Sequence, residues 1–119
     1  MLIQYNEDYK KIAMGLLSYV PDLKDPARIE EELEWYEANE SRQLYLWKSN
    51  ETGNLIGLVG VEVEELVLLR HISIDPSYRN EGLSYLILDA LQERYKEQTI
   101  VSTLVTASVI SKWQKKMGR

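Results

Sequence analysis

Residues 71–84 read HISIDPSYRNEGLS and contain the transition that organises the whole chain. An apolar strand stops at Pro76, a polar loop follows, and Gly82 leads into a segment whose apolar residues have helical spacing. A loop that enters a helix leaves backbone N–H groups unpaired at the positive end of the helix dipole. Because Gly82 has no side chain and Ser84 has a small one, the backbone here can approach a phosphate closely. A simple turn glycine is the alternative interpretation of Gly82.

Upstream of this stretch, the hydrophobic pattern predicts a strand, two helices and then three strands. Asp25-Pro26 is typical of an N-cap followed by proline at the first helical position. Gly57 and Gly60 mark places where a bulge or a close backbone approach is expected. The predicted elements are a strand at 1–5, helices at 7–19 and 26–38, and strands at 43–48, 55–63 and 66–75.

Downstream of the loop, we expect a helix from Leu83, a β-branched strand from Thr99 to Thr106 and a short final helix over 109–117. The element order is therefore β-α-α-β-β-β-α-β-α. The strand at 66–75 is apolar on both faces, so something must cover each face. These features predict a single α+β domain over residues 1–119, with a mostly antiparallel sheet and helices on both sides.

Composition excludes several classes of protein. The chain has no cysteine, which removes disulfides, cysteine-based metal sites and thiol catalysis, and no metal site is predicted. The first residues lack the pattern of a secretory signal, and no apolar run is long enough to cross a membrane, so we expect a soluble, cytoplasmic protein with no membrane partner. The net charge of −5 argues against a nucleic-acid partner, since phosphate contacts require a basic face.

The charge is unevenly distributed along the chain. Residues 1–65 carry 14 acidic and 6 basic side chains, whereas residues 66–119 carry 5 acidic and 8 basic ones. One interpretation is ordinary surface charge that serves solubility. The other is that the C-terminal half faces an anionic ligand and the N-terminal half a cationic one.

The segment from Arg79 to Ser84, RNEGLS, resembles motif A of the GNAT superfamily, the Gcn5-related N-acetyltransferases. In that family a strand with a nearby proline is followed by Arg/Gln-x-x-Gly-x-Gly/Ala, and Ser84 stands at the last small position. The resemblance implies that strand residues offer backbone groups to the pantetheine arm and acetyl group of acetyl-CoA, and that the loop amides hold its pyrophosphate. The cofactor-binding residues that it implies are Ile72, Ser73, Ile74, Arg79, Asn80, Glu81, Gly82, Leu83 and Ser84.

The chain also departs from the family pattern. Gln114 falls where many members have a tyrosine that protonates the departing thiolate, and an amide cannot act as that acid. The sequence stops at Arg119, before the closing hairpin usual in the family, so the fold is expected to be truncated at its C-terminus. An uncovered edge strand is an aggregation hazard, which predicts a homodimer or another partner over the strand at 99–106.

Two residues are candidates for the general base. His71 is the one histidine and titrates near neutral pH, although a hydrogen-bonded core histidine is the alternative. Glu62 on the preceding strand could act directly or through water, or could be an ordinary charged strand end. The favoured function is an acetyl-CoA-dependent N-acetyltransferase acting on a small amine. The alternative is a regulatory module that binds CoA or acetyl-CoA without turning it over.

Overall fold

The computed structural model describes residues 1–79 and 82–118, and its element order is the predicted one. The five strands are β1 (Leu2–Gln4), β2 (Arg42–Lys48), β3 (Leu55–Val63), β4 (Val67–Ile74) and β5 (Ile100–Ser102). The four α-helices are α1 (Lys10–Leu17), α2 (Pro26–Glu37), α3 (Leu83–Arg94) and α4 (Ala107–Lys116). Single 3₁₀ turns precede α1 at Glu7–Tyr9 and follow β4 at Pro76–Tyr78.

The strands form one sheet in the order β1-β2-β3-β4-β5. The first four strands pair antiparallel with their neighbours in sequence, and β5 alone pairs parallel, next to β4. A parallel neighbour requires a crossover connection, which α3 supplies. The predicted α+β class and mostly antiparallel sheet are confirmed.

Two apolar layers hold helices on opposite faces of this sheet. Leu44, Leu46 and Leu58 face α1 and α2, where they join residues such as Leu17 and Leu33. On the opposite face of the sheet, Val59, Val61 and Leu69 pack against Leu88 of α3 and Trp113 of α4. The alternation along each strand therefore gives every helix one face of the sheet to cover.

Local chemistry explains where two of the helices begin. Asp25 caps α2 by accepting a hydrogen bond from the Ala27 backbone N–H at 3.0 Å, as the Asp-Pro sequence predicts. The first predicted helix is shorter than expected, because Asn6 caps the 3₁₀ turn at Glu7–Tyr9 and the regular α-helix starts at Lys10. The short polar side chain of Asn6 thus decides how the chain enters the helix.

The predicted strand from Thr99 to Thr106 is wrong in its second half. The strand ends at Ser102, and the next residues form a turn that leads into α4. Thr103 and Thr106 cause this, because the backbone N–H of each donates to the side-chain oxygen of the other, at 3.0 and 3.3 Å. These reciprocal bonds stabilise the turn before α4 and override the β-branched composition of the segment.

Candidate functional site

The sheet is deformed at Arg70, in the middle of β4. Gly60 of β3 is paired with His71, but the next residue, Val61, is paired with Leu69, so Arg70 is an extra residue on β4. An extra residue of this kind bends the strand and increases its local twist. The sequence placed a bulge near Gly60, and the structure has one on the strand that faces it.

The parallel pairing of β4 with β5 ends at the same level. Its last pair is Leu69 with Ser102, whereas β4 continues to Ile74. The buried Thr106 hydroxyl donates to the Leu69 carbonyl oxygen at 2.9 Å, so α4 begins where the two strands separate. A gap in the sheet results, and the backbone of β4 beyond Arg70 faces it.

A cleft of about 740 Å³ occupies this gap. Its walls come from five parts of the chain: the connection after α1, the second half of β4, the loop after β4, the start of α3 and the start of α4. It is lined by residues 19–21, 70–74, 78–79 and 82–85 and by Val105, Thr106, Ser108, Val109 and Lys112. The volume lies in the range of small-molecule and cofactor sites.

Most of the residues implied in cofactor binding line this one cleft. Ile72, Ser73 and Ile74 lie on its strand wall, and Arg79 lies at the end of the loop wall. Gly82, Leu83 and Ser84 lie where α3 begins. The remaining two, Asn80 and Glu81, fall outside the described residues. The described members of the set, separated in the chain by the turn at Pro76, are thus brought to one cavity, and their role in binding remains a prediction.

Gly82 is the N-cap of α3 and has a left-handed backbone conformation, with φ of 73°. A Cβ atom added there would meet, within 4 Å, no atom of the described residues beyond its chain neighbours and the backbone of α3 itself. The first turn of α3 contains no acidic residue. This helix end therefore combines bare backbone at Gly82, a positive dipole end and a first turn free of carboxylates, a combination suited to an anion.

Two of the implied cofactor residues also hold the walls together. The buried Ser73 hydroxyl donates to the Leu16 carbonyl oxygen at 2.6 Å, which ties α1 to the strand wall. The proton of the Ser73 hydroxyl is therefore already used, and its backbone is the donor left for a ligand. The Arg79 guanidinium donates through Nε to the Ile74 carbonyl oxygen at 3.2 Å and lies 5.5 Å from the centre of the Tyr19 ring.

His71 lines the cleft beside the bulge, and both of its ring nitrogens face side chains of α2. Its Nδ1 lies 2.5 Å from the Tyr36 hydroxyl, and its Nε2 lies 3.9 Å from Glu32 Oε2. Burial, and secondly the neighbouring Arg70 charge, lower the pKa of His71 to about 4. The imidazole is therefore neutral near neutral pH.

Tyr36 reaches His71 across the backbone of Gly60. A Cβ atom at Gly60 would lie 2.0 Å from the Tyr36 hydroxyl oxygen, so only glycine leaves room for this contact. Burial, with a smaller contribution from Glu32, raises the pKa of Tyr36 far above its ordinary value. Tyr36 therefore remains a phenol that can donate its proton to His71 Nδ1.

Glu62, the second candidate base, forms an ion pair with the bulged Arg70, with 3.4 Å between Oε1 and Nη1. The Arg70 guanidinium also lies 5.0 Å from the centre of the Trp35 ring. Arg70 lines the cleft, so Glu62 stands behind a residue of the wall.

Sequence analysis missed Glu32 and Tyr36 as part of the site. The acidic side of α2 has the pattern of a solvated helix face, and Tyr36 has the pattern of a core residue. A signal was available, because residues four apart lie on one side of a helix and Glu32 precedes the buried Tyr36 by four. On α4, Ser108 and Lys112 line the cleft, whereas Gln114 stands two residues further along the helix.

The described residues also bear on metal binding and on membrane spanning. Within 1–79 and 82–118, no three histidine, cysteine or acidic side chains are grouped as they would be to hold a metal ion. Over the same ranges, every helix is too short or too polar to cross a bilayer.

Comparison with known proteins identifies the family. Residues 22–113 match the family model described as the acetyltransferase (GNAT) domain. An N-acetyltransferase of Bacillus methanolicus, described as uncharacterized and encoded in the 3′ region of lysA, is 41% identical over 114 residues, which span 94% of this chain and 93% of that protein.

Solved structures share the fold at much lower identity. AAC(6′)-Iy, in complex with the bisubstrate analogue CoA-S-monomethyl-acetylneamine, is 17% identical with a TM-score of 0.75, over 99% of this chain and 88% of that one. The aminoglycoside 6′-N-acetyltransferase AAC(6′)-IG of Acinetobacter haemolyticus is 14% identical with a TM-score of 0.73, over 100% and 90% of the two chains. The chain belongs to the GNAT family of acetyltransferases, for which acetyl-CoA is the typical acyl donor.

Proposed function

We propose that this protein transfers the acetyl group of acetyl-CoA to the nitrogen of a small amine. The observation that carries the proposal is the coincidence of the Arg70 bulge, the end of β4–β5 pairing and the N-terminus of α3 at one cleft. An extended thioester arm fits along the free side of β4, and its pyrophosphate fits at Gly82.

In the proposed reaction the neutral amine attacks the thioester carbonyl carbon. A C–N bond forms, the C–S bond breaks, and the electron pair leaves with the CoA sulfur as a thiolate. A backbone N–H of the bulged strand polarises the carbonyl oxygen as negative charge develops on it. A thiolate is a stable leaving group, since thiol pKa values lie near ~8.5, so a strong acid at position 114 is not required.

The proton that the amine loses needs an acceptor, and the two predicted bases are supported unequally. His71 lines the cleft, but its lowered pKa makes it a weak proton acceptor and its Nδ1 faces Tyr36. Glu62 is a carboxylate paired with Arg70 and keeps 25% of its side chain exposed. We propose that Glu62 accepts the proton through water and that His71 is a positioning residue.

Release of free CoA from acetyl-CoA, measured with a panel of small amines, tests the proposed function. The wild-type protein is expected to release CoA with at least one amine, and Glu62→Gln to lower kcat/KM by ~100-fold, as loss of a general base does. His71→Gln is expected to change kcat/KM less. Tight acetyl-CoA binding without CoA release from any amine would instead support a regulatory module.

A narrower proposal links the chain to riboflavin metabolism. The segments at 1–5, 10–21, 42–48 and 70–82 resemble RibT, the acetyltransferase-like protein encoded with riboflavin biosynthesis genes in Firmicutes. Amine-bearing flavin precursors therefore belong in the acceptor panel. We also propose a cytoplasmic location, which the cysteine-free composition supports.

We further propose that the protein forms a homodimer through the side of the sheet that ends in β5. This strand has only β4 as a neighbour in the described sheet, and it is followed by two exposed apolar residues. Leu104 is 98% exposed and Val105 is 68% exposed. An edge strand beside exposed apolar side chains favours association.

A further inference from the structure

Next to His71, which lines the cleft, α2 carries a charge that the proposed transfer reaction does not use. His71 is neutral near neutral pH, and the Glu62 charge is balanced by Arg70 at 3.4 Å. Among the described residues, the carboxylate that contacts the His71 ring is Glu32, and its side chain is 27% exposed. Since its contact is with a neutral ring, and no lysine or arginine within 1–79 and 82–118 forms an ion pair with it, the Glu32 charge is available to a ligand.

The three side chains can form one chain of donors. Tyr36 stays protonated, and when it donates to His71 Nδ1 the imidazole proton resides on Nε2. The Nε2–H then points toward the Glu32 carboxylate, 3.9 Å away. A carboxylate beside Nε2 favours this tautomer, because the opposite one would direct a nitrogen lone pair at the negative charge.

Packing keeps this arrangement in place. The Tyr36 hydroxyl lies against the bare backbone of Gly60, and its ring makes an edge contact with the His71 ring, with 5.7 Å between centroids. The imidazole thus separates Glu32 from the buried core and leaves part of the carboxylate open to solvent. A ligand group that binds this carboxylate would lie next to a cleft-lining residue.

We propose that Glu32 is a specificity-determining residue that binds a second cationic group of the acceptor, distinct from the nitrogen that receives the acetyl group. The favoured acceptors are then diamines and larger polycationic amines, and a monoamine is a poorer substrate. This inference rests on the proposed function, because it names the acceptor class for the same cleft. The unequal charge of the two halves of the chain agrees with it.

The positive charge of the Arg70 guanidinium would repel a second cation if that charge were free. Its charge is already engaged by Glu62, and its flat face lies over Trp35. Arg70 therefore belongs to the cleft wall, and Glu32 supplies the free negative charge.

The kinetic test compares 1,4-diaminobutane with n-butylamine, which has the same chain length and one amine. The wild-type protein is expected to show a higher kcat/KM for the diamine. Glu32→Gln should lower the ratio of the two values about fivefold or more, mainly through KM, in keeping with the loss of one partly exposed ion pair. Glu34→Gln, on an exposed position of the same helix, should leave the ratio unchanged.

A second measurement does not depend on turnover. Because the chain has one histidine, ¹⁵N spectra of the CoA-saturated protein report His71 alone. We expect the Nε2–H tautomer at neutral pH, and we expect 1,4-diaminobutane to shift the imidazole signals in the wild type and Glu34→Gln but not in Glu32→Gln. An Nδ1–H tautomer, or equal shifts in Glu32→Gln, would overturn the proposal.

The two measurements separate the failure of this inference from the failure of the proposed function. CoA release with an unchanged diamine preference in Glu32→Gln would refute the subsite and leave acetyl transfer standing. No CoA release with any amine would refute acetyl transfer to small amines, and the imidazole titration would still decide whether Glu32 binds a cation.

Discussion

The two ends of the cleft are built from different parts of the polypeptide. At the α3 end the groups facing the cavity are mainly backbone, from β4 beyond Arg70 and from the helix N-terminus at Gly82. At the α2 end a side chain, His71, lines the cavity, and its ring nitrogens contact Tyr36 and Glu32 of α2. Backbone suits a ligand that never changes, whereas side chains can be exchanged, which agrees with the proposal that the cofactor binds at the first end and the acceptor at the second.

The largest expected effect comes from Gly82→Val, which alters the backbone end alone. A branched side chain in the left-handed conformation costs ~1–2 kcal/mol in stability and points into the space that the pyrophosphate needs. We expect acetyl-CoA binding to fall below detection in calorimetry. Gly53→Val is the matched control, because Gly53 has φ of 75° in the β2–β3 turn, outside the cleft lining. It should lose similar stability and keep its affinity. Equal affinities in both variants would contradict the assignment.

An intermediate effect is expected from pH, which acts on the side-chain end. His71 has a folded-state pKa of about 4, below the 6.5 of an unfolded histidine, so unfolding takes up a proton as the pH falls between these values. Stability should therefore decrease by about 2 kcal/mol from pH 7 to pH 5. The groups around the ring are Tyr36 and Glu32 on α2 and Arg70 on β4.

Denaturant titrations at both pH values measure this effect. His71→Gln should remove most of the difference between pH 7 and pH 5, and Gly82→Val should retain it, because Gly82 lies at the other end of the cleft. A stability difference between pH 7 and pH 5 in His71→Gln as large as that of the wild type would show that other groups cause the pH dependence.

The smallest expected effect is that of Leu104→Asp on the affinity for acetyl-CoA. It tests whether a single chain forms the whole cofactor end of the cleft. Leu104→Asp places a charge in the exposed segment after β5 and should shift the protein from dimer to monomer in sedimentation. The affinity for acetyl-CoA should change less than about twofold, since the cleft walls all come from one chain. A monomeric wild-type protein would refute the dimer, and a large loss of affinity would show that the partner contributes to the cleft.

The backbone end was open to sequence analysis because its requirements are local. A strand, a proline, a polar loop and a glycine must follow one another within a few residues, so one stretch of sequence contains the whole arrangement. The bulge was also signalled, since Gly60 leaves the sheet free to deform. The position of this bulge, at Arg70 of β4, could not be predicted, because the register depends on pairing between strands.

The side-chain end depends on long-range packing and could not be predicted in the same way. Glu32 and Tyr36 approach His71 only because α2 crosses the sheet over Gly60. No local sequence pattern between α2 and β4 predicts that crossing. The end of β5 was mispredicted for a different and local reason. Thr103 and Thr106 have β-branched side chains, but their hydroxyl groups bind each other's backbone and begin a helix.

The bare backbone at Gly60 has a consequence for how sequences of this kind can diverge. A side chain at position 60 would occupy the space of the Tyr36 hydroxyl, so glycine can be replaced at 60 only if residue 36 becomes smaller as well. A relative with alanine at 60 is expected to carry a smaller residue at 36 and to lose the donor that contacts the imidazole at 71. Under the proposed role of Glu32, loss of the glycine would mark, within an alignment, the lineages in which the choice of amine has changed.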